Sequence, residues 1–301
     1  MRSKPFITTF FFLIYVVGVL INSSIITVIC LEVQLHKPMY LFICNLSIVD
    51  IFYTSVTAPK LLHMLLSGNH IVSSAQCYTQ LFFVVIVGVA EDILLFIMAI
   101  DRYVAICDPL HYNQILNRRN CTLITIGIWA AAILNSVMFV QSALHMSSCH
   151  SNVIHQFFCD VKSLTKTTCT TSQQFYLVSV TNILLFAFMP LMCTFISYAK
   201  IFSAIFKLKS TENRKKSFST CSSHVTVISI YYGAGLIGYF IPDQYKVLNI
   251  VFNILYTTVI PMINPIIYSL QNSSIQSALL GIGREMFMLK SDSRKLDLAR
   301  N

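Results

Sequence analysis

Charge is what this sequence has least of. Of 301 residues only 11% are Asp, Glu, Lys or Arg, while 55% are hydrophobic. A soluble chain of this length carries about a quarter charged residues, so an ordinary water-soluble globule is excluded. Glycine (9) and proline (8) are scarce as well, which leaves little room for disordered linkers. There is no low-complexity tract and no internal repeat; the missing repeat argues against a transporter built from matching halves. Catalytic signatures are also missing. His-Glu-x-x-His does not occur, and no Ser–His pair shares an obvious level in the chain. The mid-chain acids read Gly88-Val89-Ala90-Glu91-Asp92, without the Gly-x-Gly-Asp context of an intramembrane aspartyl protease. Enzymatic activity is therefore not expected. No basic stripe is interleaved with exposed aromatics, so nucleic acid is not an expected partner.

What is present is apolar length. Seven runs of twenty or more mostly apolar residues cover approximately 6–31, 38–64, 73–106, 121–144, 174–205, 215–240 and 246–270. Each is long enough to cross a bilayer as a helix. The short alternating segments of a membrane barrel do not occur. The expectation is one all-α membrane domain over 1–301, a seven-transmembrane helix bundle with a cytoplasmic tail over 271–301. Lysine and arginine set its orientation. With the N-terminus outside, the inner loops and tail hold Lys37, Arg102, Arg118, Arg119, Lys200, Lys207, Lys209, Arg214, Lys215, Lys216, Arg284, Lys290, Arg294, Lys295 and Arg300, fifteen of the 21 basic residues. The outer side holds Arg2, Lys4, Lys60, Lys162, Lys166 and Lys246. The net charge of +9 then largely reflects an inner face suited to anionic membrane lipids. Met1-Arg2-Ser3-Lys4 is a basic start, but the run after it is longer than a signal-peptide core and contains Asn22. Span 1 is therefore expected to be retained.

The most informative words lie at the span ends. Span 3 closes on Met98-Ala99-Ile100-Asp101-Arg102-Tyr103-Val104-Ala105-Ile106-Cys107, followed by Pro109-Leu110-His111-Tyr112. An acid–arginine pair at the edge of a membrane span is costly and so marks function. Span 2 carries Asn45-Leu46-Ser47-Ile48-Val49-Asp50, and span 5 ends in Ser197-Tyr198-Ala199-Lys200-Ile201. Span 6 opens with Lys216-Ser217-Phe218-Ser219-Thr220-Cys221-Ser222-Ser223-His224. Span 7 ends in Pro261-Met262-Ile263-Asn264-Pro265-Ile266-Ile267-Tyr268-Ser269-Leu270. Each is moderately specific alone. In this order and topology, over roughly residues 15–280, they resemble the odorant receptors, a branch of the rhodopsin-like G-protein-coupled receptors. The resemblance implies a small volatile ligand, a heterotrimeric G protein of the stimulatory, olfactory type as partner, and a multi-pass place in the plasma membrane with the N-terminus extracellular. It also implies a switch made of Asp101, Arg102, Tyr103, Tyr198, Asn264, Pro265 and Tyr268, in which Arg102 rests on Asp101 and is released as the inner end opens. Pro190 and Pro265 sit inside helices, where a missing N–H permits a kink.

Asp50, Glu91 and Asp92 are acids deep in apolar runs. At a rise of about 1.5 Å per residue, Asp50 and Glu91 lie roughly 18 and 16 Å from the inner edge, so they share a level. Two carboxylates there do not both ionise without a cation or a proton. The resemblance implies a sodium or proton site at Asp50 and Glu91, with Asn22 and Asn264 joining them; the other reading is a hydrogen-bonded polar plug. No further cofactor or metal is expected. Asp92 departs from the family, which is usually apolar there, and the sequence supplies no partner for it.

Six of the ten cysteines, Cys30, Cys44, Cys107, Cys121, Cys193 and Cys221, fall in spans or at their inner ends and read as packing. Cys77, Cys149, Cys159 and Cys169 lie on the expected outer side. An even set in an oxidising compartment suggests two disulfides with three possible pairings. A metal site using His150, His155 and these cysteines is the rival reading. Gln156-Phe157-Phe158-Cys159-Asp160 resembles the second outer loop of odorant receptors, with Gln156 where His is usual. That likeness implies the pairs Cys77–Cys159 and Cys149–Cys169, which would staple a lid over the bundle.

Helical spacing selects faces in the outer half of the bundle: Val84, Val85, Gly88 and Glu91 on span 3, Val178, Asn182 and Phe186 on span 5, Tyr232, Gly235 and Tyr239 on span 6, and Ile250, Ile254 and Thr257 on span 7. These match positions that line odorant-receptor pockets, and a mostly apolar cavity with few polar groups suits a small neutral ligand. No acid lies one turn above Gly88, where amine receptors carry theirs, so a biogenic amine is not an expected ligand. Residues 272–290 read as a short amphipathic eighth helix with Ile275, Leu279, Leu280, Met286 and Phe287 toward lipid. Further departures are Ile100 for an aromatic, Asp108 for a basic residue and Ala234 for Thr. Few residues precede span 1, and the sequons at Asn22, Asn45, Asn120 and Asn272 all fall in spans or on the inner side, out of reach of glycosylation. The expectation is a shortened or diverged odorant receptor. A receptor for a non-odorant small molecule and a truncated non-functional member are the alternatives.

Overall fold

The computed structural model describes residues 3–69, 71–148, 157–170, 173–208, 210–242, 244–272 and 274–281. Four spans are continuous helices in its first half: α1 (Ser3–Leu31), α2 (Pro38–Ser67), α3 (Ser74–Cys107) and, after a single turn α4 (Tyr112–Ile115), α5 (Arg118–Leu144). Their ends follow from local chemistry. Pro38 opens α2, where its missing N–H is no loss. Gly68 closes α2 in the left-handed region (φ 67°), its N–H returning to the Met64 carbonyl. Ser73 and Gln76 form a reciprocal capping box at the start of α3. The Asn117 side chain caps α5 by accepting from the Asn120 N–H at 2.8 Å.

Between spans 4 and 5 lie α6 (Val161–Thr167) and a two-stranded antiparallel ribbon, β1 (Ser147–Ser148) with β2 (Thr168–Thr170). Span 5 is α7 (Gln173–Asn182), a π-helical stretch Ile183–Phe188, and α8 (Met189–Phe206). Span 6 is α9 (Thr211–Phe240). Span 7 is α10 (Lys246–Ile254), a π-helical stretch Leu255–Val259, and α11 (Ile260–Gln271). Apolar periodicity suggests single uniform rods for spans 5 and 7; the structure breaks both with a wide turn. Pro190 and Pro261 each follow such a turn by two residues. A π turn takes up the missing proline N–H and moves the preceding carbonyls off the ring. Pro59 is a further proline inside α2.

Six helices among the described residues are long and apolar enough to cross a bilayer. The seventh, α9, is equally long at 30 residues but opens with a polar turn around Glu212. The distribution of side chains is that of a lipid-embedded bundle. Phe10, Phe12, Leu13, Ile126, Leu134, Met138 and Phe195 face outward, while Asn22, Asp50, Glu91, His224 and Asn264 are buried. Hydrocarbon offers no hydrogen bonds, so polar groups turn toward each other inside.

The helix α3 is the central post and packs against α2, α5 and α8. Small residues let the backbones approach: Ala90, Ala99, Ala132 and Ser136 are fully buried, and the Ser136 hydroxyl donates to the Phe82 carbonyl at 2.6 Å. After α11 a short helix, α12, spans 274–281. Asn272 caps it, its Oδ1 accepting from the Ser274 and Ile275 N–H groups and from the Tyr40 hydroxyl. The sequence reading put Ile275 toward lipid, and the structure corrects this. Ile275 is fully buried and joins the main core with Ala278 and Leu279, because Asn272 turns the chain back against α2. Leu280 is exposed, and Met286 and Phe287 lie outside the described residues.

Enlarging the α3–α5 seam is expected to destabilise the bundle. Ala132→Leu should cost about 1–3 kcal/mol and lower the melting temperature of the purified protein; an unchanged value would show that α5 packs more loosely than described.

Candidate functional site

The Asp101–Arg102 pair sits at one end of α3. Asp101 is fully buried. Arg102 donates to Asp101 Oδ2 from Nε at 2.9 Å and again from Nη2, a charge-assisted fork. The other oxygen, Oδ1, accepts from the Tyr112 hydroxyl at 2.8 Å. Tyr112 belongs to α4, so the loop after α3 helps hold the arginine's partner. Burial first, then the Asp101 carboxylate, pushes the Tyr112 phenol up from its usual range, which keeps it a donor. Tyr103 is partly buried, with Lys200 of α8 over its ring at 5.7 Å. The sequence reading did not foresee a role for Tyr112.

Tyr198 and Tyr268 are both buried, and neither bonds to Arg102. Tyr198 is hydrogen-bonded to His224 Nδ1 of α9 at 2.6 Å. Tyr268 stacks loosely on the far side of His224, with ring centroids 6.5 Å apart, and its hydroxyl has no hydrogen-bond partner. His224 therefore joins spans 5, 6 and 7, a role missed in the sequence although a fully buried histidine in span 6 signals one. Pro265 lies within α11 directly after Asn264.

Halfway along the bundle, Asn264 Nδ2 donates to Asp50 Oδ1 at 3.1 Å and reaches Oδ2 at 3.5 Å. Glu91 is buried close by, and its Oε1 has no hydrogen-bond partner. Asn22 lies nearby on α1. Its amide donates to the Gly18 and Pro261 carbonyls at 3.1 and 3.0 Å, and its Oδ1 is likewise unpartnered. The structure thus brings Asp50, Glu91 and Asn264 together, while Asn22 ties α1 to the turn before Asn264. Asp50 takes the Asn264 amide while Glu91 Oε1 takes no donor, which leaves a buried oxygen for a proton or a small cation to satisfy. No group of three or more His, Cys, Asp or Glu side chains among the described residues forms a metal cage.

The other end of the bundle carries a tethered loop. Cys77 of α3 is disulfide-bonded to Cys159, and the Cys159 N–H donates to Gln80 Oε1 at 2.9 Å. Phe157 and Phe158 are buried against Leu61, with Val84, Ile250 and Ile254 packed around them. Lys162 reaches across to the ends of spans 6 and 7. Its Nζ donates to the carbonyls of Gly238 (3.2 Å) and Ile241 (3.4 Å) and to Asn249 Oδ1 (3.4 Å). One short loop is thereby fixed to α3, α9 and α10. The suggested Cys149–Cys169 pair and the rival set with His150 and His155 involve Cys149, His150 and His155, which lie outside the described residues.

Beneath this lid only part of the ligand-lining set converges. Val84 and Ile254 meet the phenylalanine pair, and Val85 and Phe186 pack on the main core. Nothing lies within 4 Å of a Cβ added at Gly88, and Gly235 faces Tyr256 at 3.9 Å. Tyr232 is partly buried beside Tyr231, with ring centroids 5.1 Å apart. Two of the polar members are engaged by other groups. Asn182 exchanges two amide hydrogen bonds with Asn135 of α5, at 2.8 and 3.3 Å, because an amide in lipid takes the nearest polar partner on a neighbouring helix. Thr257 is fully buried, and its hydroxyl donates to the carbonyl of Asn253 in its own helix. Val178 and Val85 pack together on the cluster that holds the Cys77–Cys159 pair, Phe139 and Phe175. The side chain of Tyr239 lies outside those described. A separate cavity of about 550 Å³ opens between α2 and α3 and is lined by Lys60, His63, Gln76 and Phe83; it shares no residue with these stripes.

Comparison with known proteins adds an independent line. The family model described as olfactory receptor matches residues 11–285. The chain is 38% identical over 279 residues to olfactory receptor 1A1 of Homo sapiens, covering 92% of this chain and 90% of the relative. It is 40% identical over 277 residues to olfactory receptor 5B21 of Mus musculus, covering 91% and 86%. Against olfactory receptor 1f45 of Rattus norvegicus it is 37% identical over 280 residues, covering 92% and 90%.

The lid geometry generates a stability prediction. Lys162→Met removes the donor shared by three acceptors, a loss of about 1–3 kcal/mol, so amide exchange across 157–165 should quicken about tenfold or more. Unchanged exchange would mean that the disulfide alone holds the lid.

Proposed function

Because the chain belongs to the olfactory receptor family, we propose that it is an odorant receptor in which a small, mostly apolar volatile binds between the lid and the mid-bundle acids and activates a stimulatory, olfactory-type G protein. The family is one of seven-helix G-protein-coupled receptors and is not enzymatic. In this reading the protein sits in the plasma membrane with the disulfide end outside and the Asp101–Arg102 end inside, in contact with anionic lipids.

The observation that carries the reading is the latch at the inner end. Arg102 is held by Asp101, and Asp101 by Tyr112. Spans 5 and 6 are joined by the Tyr198–His224 hydrogen bond. Outward movement of span 6 breaks that bond, frees Tyr198 and uncovers Arg102. The unpartnered Tyr268 hydroxyl supplies a second group that can turn toward the arginine. A ligand shifts this equilibrium only by its difference in affinity for the two states.

The mid-bundle acids fit an internal sodium ion on one structural ground: Glu91 Oε1 and Asn22 Oδ1 are buried oxygens without donors. Asp50 and Glu91 would hold the ion and Asn264 would orient Asp50. The bound ion neutralises one carboxylate and favours the closed bundle. Cys149–Cys169 is proposed as a second staple of the lid.

Two measurements test this reading. In cells reporting cyclic AMP, a volatile from a broad panel should raise the signal, and Arg102→Ala should abolish it. Tyr112→Phe should raise the ligand-free signal by up to about tenfold, the scale of one hydrogen bond to a charged group. No response to any volatile, with the protein at the surface, would overturn the assignment. Separately, replacing choline with sodium should raise the melting temperature of the purified protein, and Glu91→Gln should remove that rise. An equal melting temperature in the two salts would reject the ion.

A further inference from the structure

Asp92 has no part in the latch or in the Asp50–Asn264 contact, yet it stands at the foot of the ligand stripe. Val84, Gly88 and Asp92 are spaced four apart, so they share one face of α3. Tyr232 and Tyr231 of α9 lie beside its carboxylate. Tyr231 packs edge-on to Tyr232 at 5.1 Å and against Tyr256 at 5.6 Å, and Tyr256 meets Tyr53 at 6.0 Å. Glu91, the preceding residue on α3, is buried and its Oε1 is unpartnered. Asp92 remains partly accessible although it lies mid-span, and the turn above it is open space at Gly88. Among the described residues it forms no ion pair; the two that occur are Asp101–Arg102 and Asp108–His111.

We propose that Asp92 is a specificity-determining residue, and that this pocket takes a small amine: a protonated nitrogen against Asp92 and the tyrosine rings, and an apolar body against Val84, Phe186 and Ile254. This rests on the odorant-receptor reading and names its ligand class. A carboxylate without a counter-ion in a low-dielectric interior strongly favours a cation. Tyrosine faces add cation–π attraction. Gly88 leaves room for the chain above the nitrogen, and the aliphatic wall above that offers no polar group to a second heteroatom. Acidic odorants are repelled by the same pair of carboxylates, and neutral alcohols leave Asp92 without a counter-charge. The acid lies one turn below Gly88 rather than above it, so the amine enters head first and deeper than a ligand held near the lid.

The test uses the full chain in lipid nanodiscs, with 1-aminoheptane, 1-heptanol and heptanoic acid as probes and ligand-dependent thermal stability as the readout. The amine should bind about tenfold or more tightly than the alcohol, the scale of one charge-assisted hydrogen bond, and the acid should bind weakest. Asp92→Asn should remove that advantage and leave the alcohol's affinity within about twofold. Asp92→Glu should keep the preference, and Gly88→Leu should block amine and alcohol alike; these two variants carry the test if Asp92→Asn fails to fold. Alcohol binding as tight as amine binding, absence of amine binding, or an Asp92→Asn protein with undiminished amine affinity overturns the proposal. Alcohol binding without amine preference leaves the odorant pocket standing. Amine binding without a cyclic-AMP signal defeats the coupling and not the ligand class.

Discussion

A polar group inside hydrocarbon has only the rest of the protein to bond to, and the working parts of this receptor follow from that constraint. Asp50 takes the amide of Asn264, Asp101 takes both Arg102 and Tyr112, and Tyr198 takes His224. The Asp50–Asn264 and Tyr198–His224 bonds join different spans, Tyr112 comes from the turn after α3, and Arg102 is the neighbour of Asp101 on α3 itself. The bundle is thus held by apolar packing along most of its length and by a few polar contacts at fixed levels. A contact of this kind has two discrete states, made or broken, which is what a switch requires.

The two ends of the molecule use this economy differently. At the disulfide end, one loop is fixed by a covalent bond to α3 and by one lysine to α9 and α10. That arrangement fixes the loop over this end of the bundle, and an added Cβ at Gly88 meets nothing within 4 Å. At the other end nothing covalent crosses between spans among the described residues. The Tyr198–His224 contact joins spans 5 and 6 there, and in the proposed mechanism this is the end that opens. The wide π turns beside Pro190 and Pro261 lie between the two ends and supply the weak points at which spans 5 and 7 can bend.

Much of this was legible in the residues. Long apolar runs identify membrane helices because no other backbone arrangement survives in lipid except a closed barrel. The shared level of Asp50 and Glu91 followed from helical rise alone. The acid–arginine pair stood out because charge at a span edge is expensive. Other features were hidden. Spacing put Asn182 on a pocket face, but its amide found Asn135 on α5. Spacing put Thr257 on a pocket face too, but its hydroxyl bonds back to the Asn253 carbonyl of its own helix. Ile275 looked like a lipid anchor until the Asn272 cap folded α12 inward.

The sequence by itself determined the class of solvent, the number of spans, the acid–arginine latch and the level of the buried acids, because hydropathy and helical rise are local properties of a chain in lipid. Tertiary structure alone decided which polar groups meet: Tyr112 with Asp101, Tyr198 with His224, Lys162 with the ends of two spans, and the tyrosines around Asp92. Those pairings depend on how each helix is rotated against its neighbours, and rotation is set by the packing of the whole bundle rather than by any one segment.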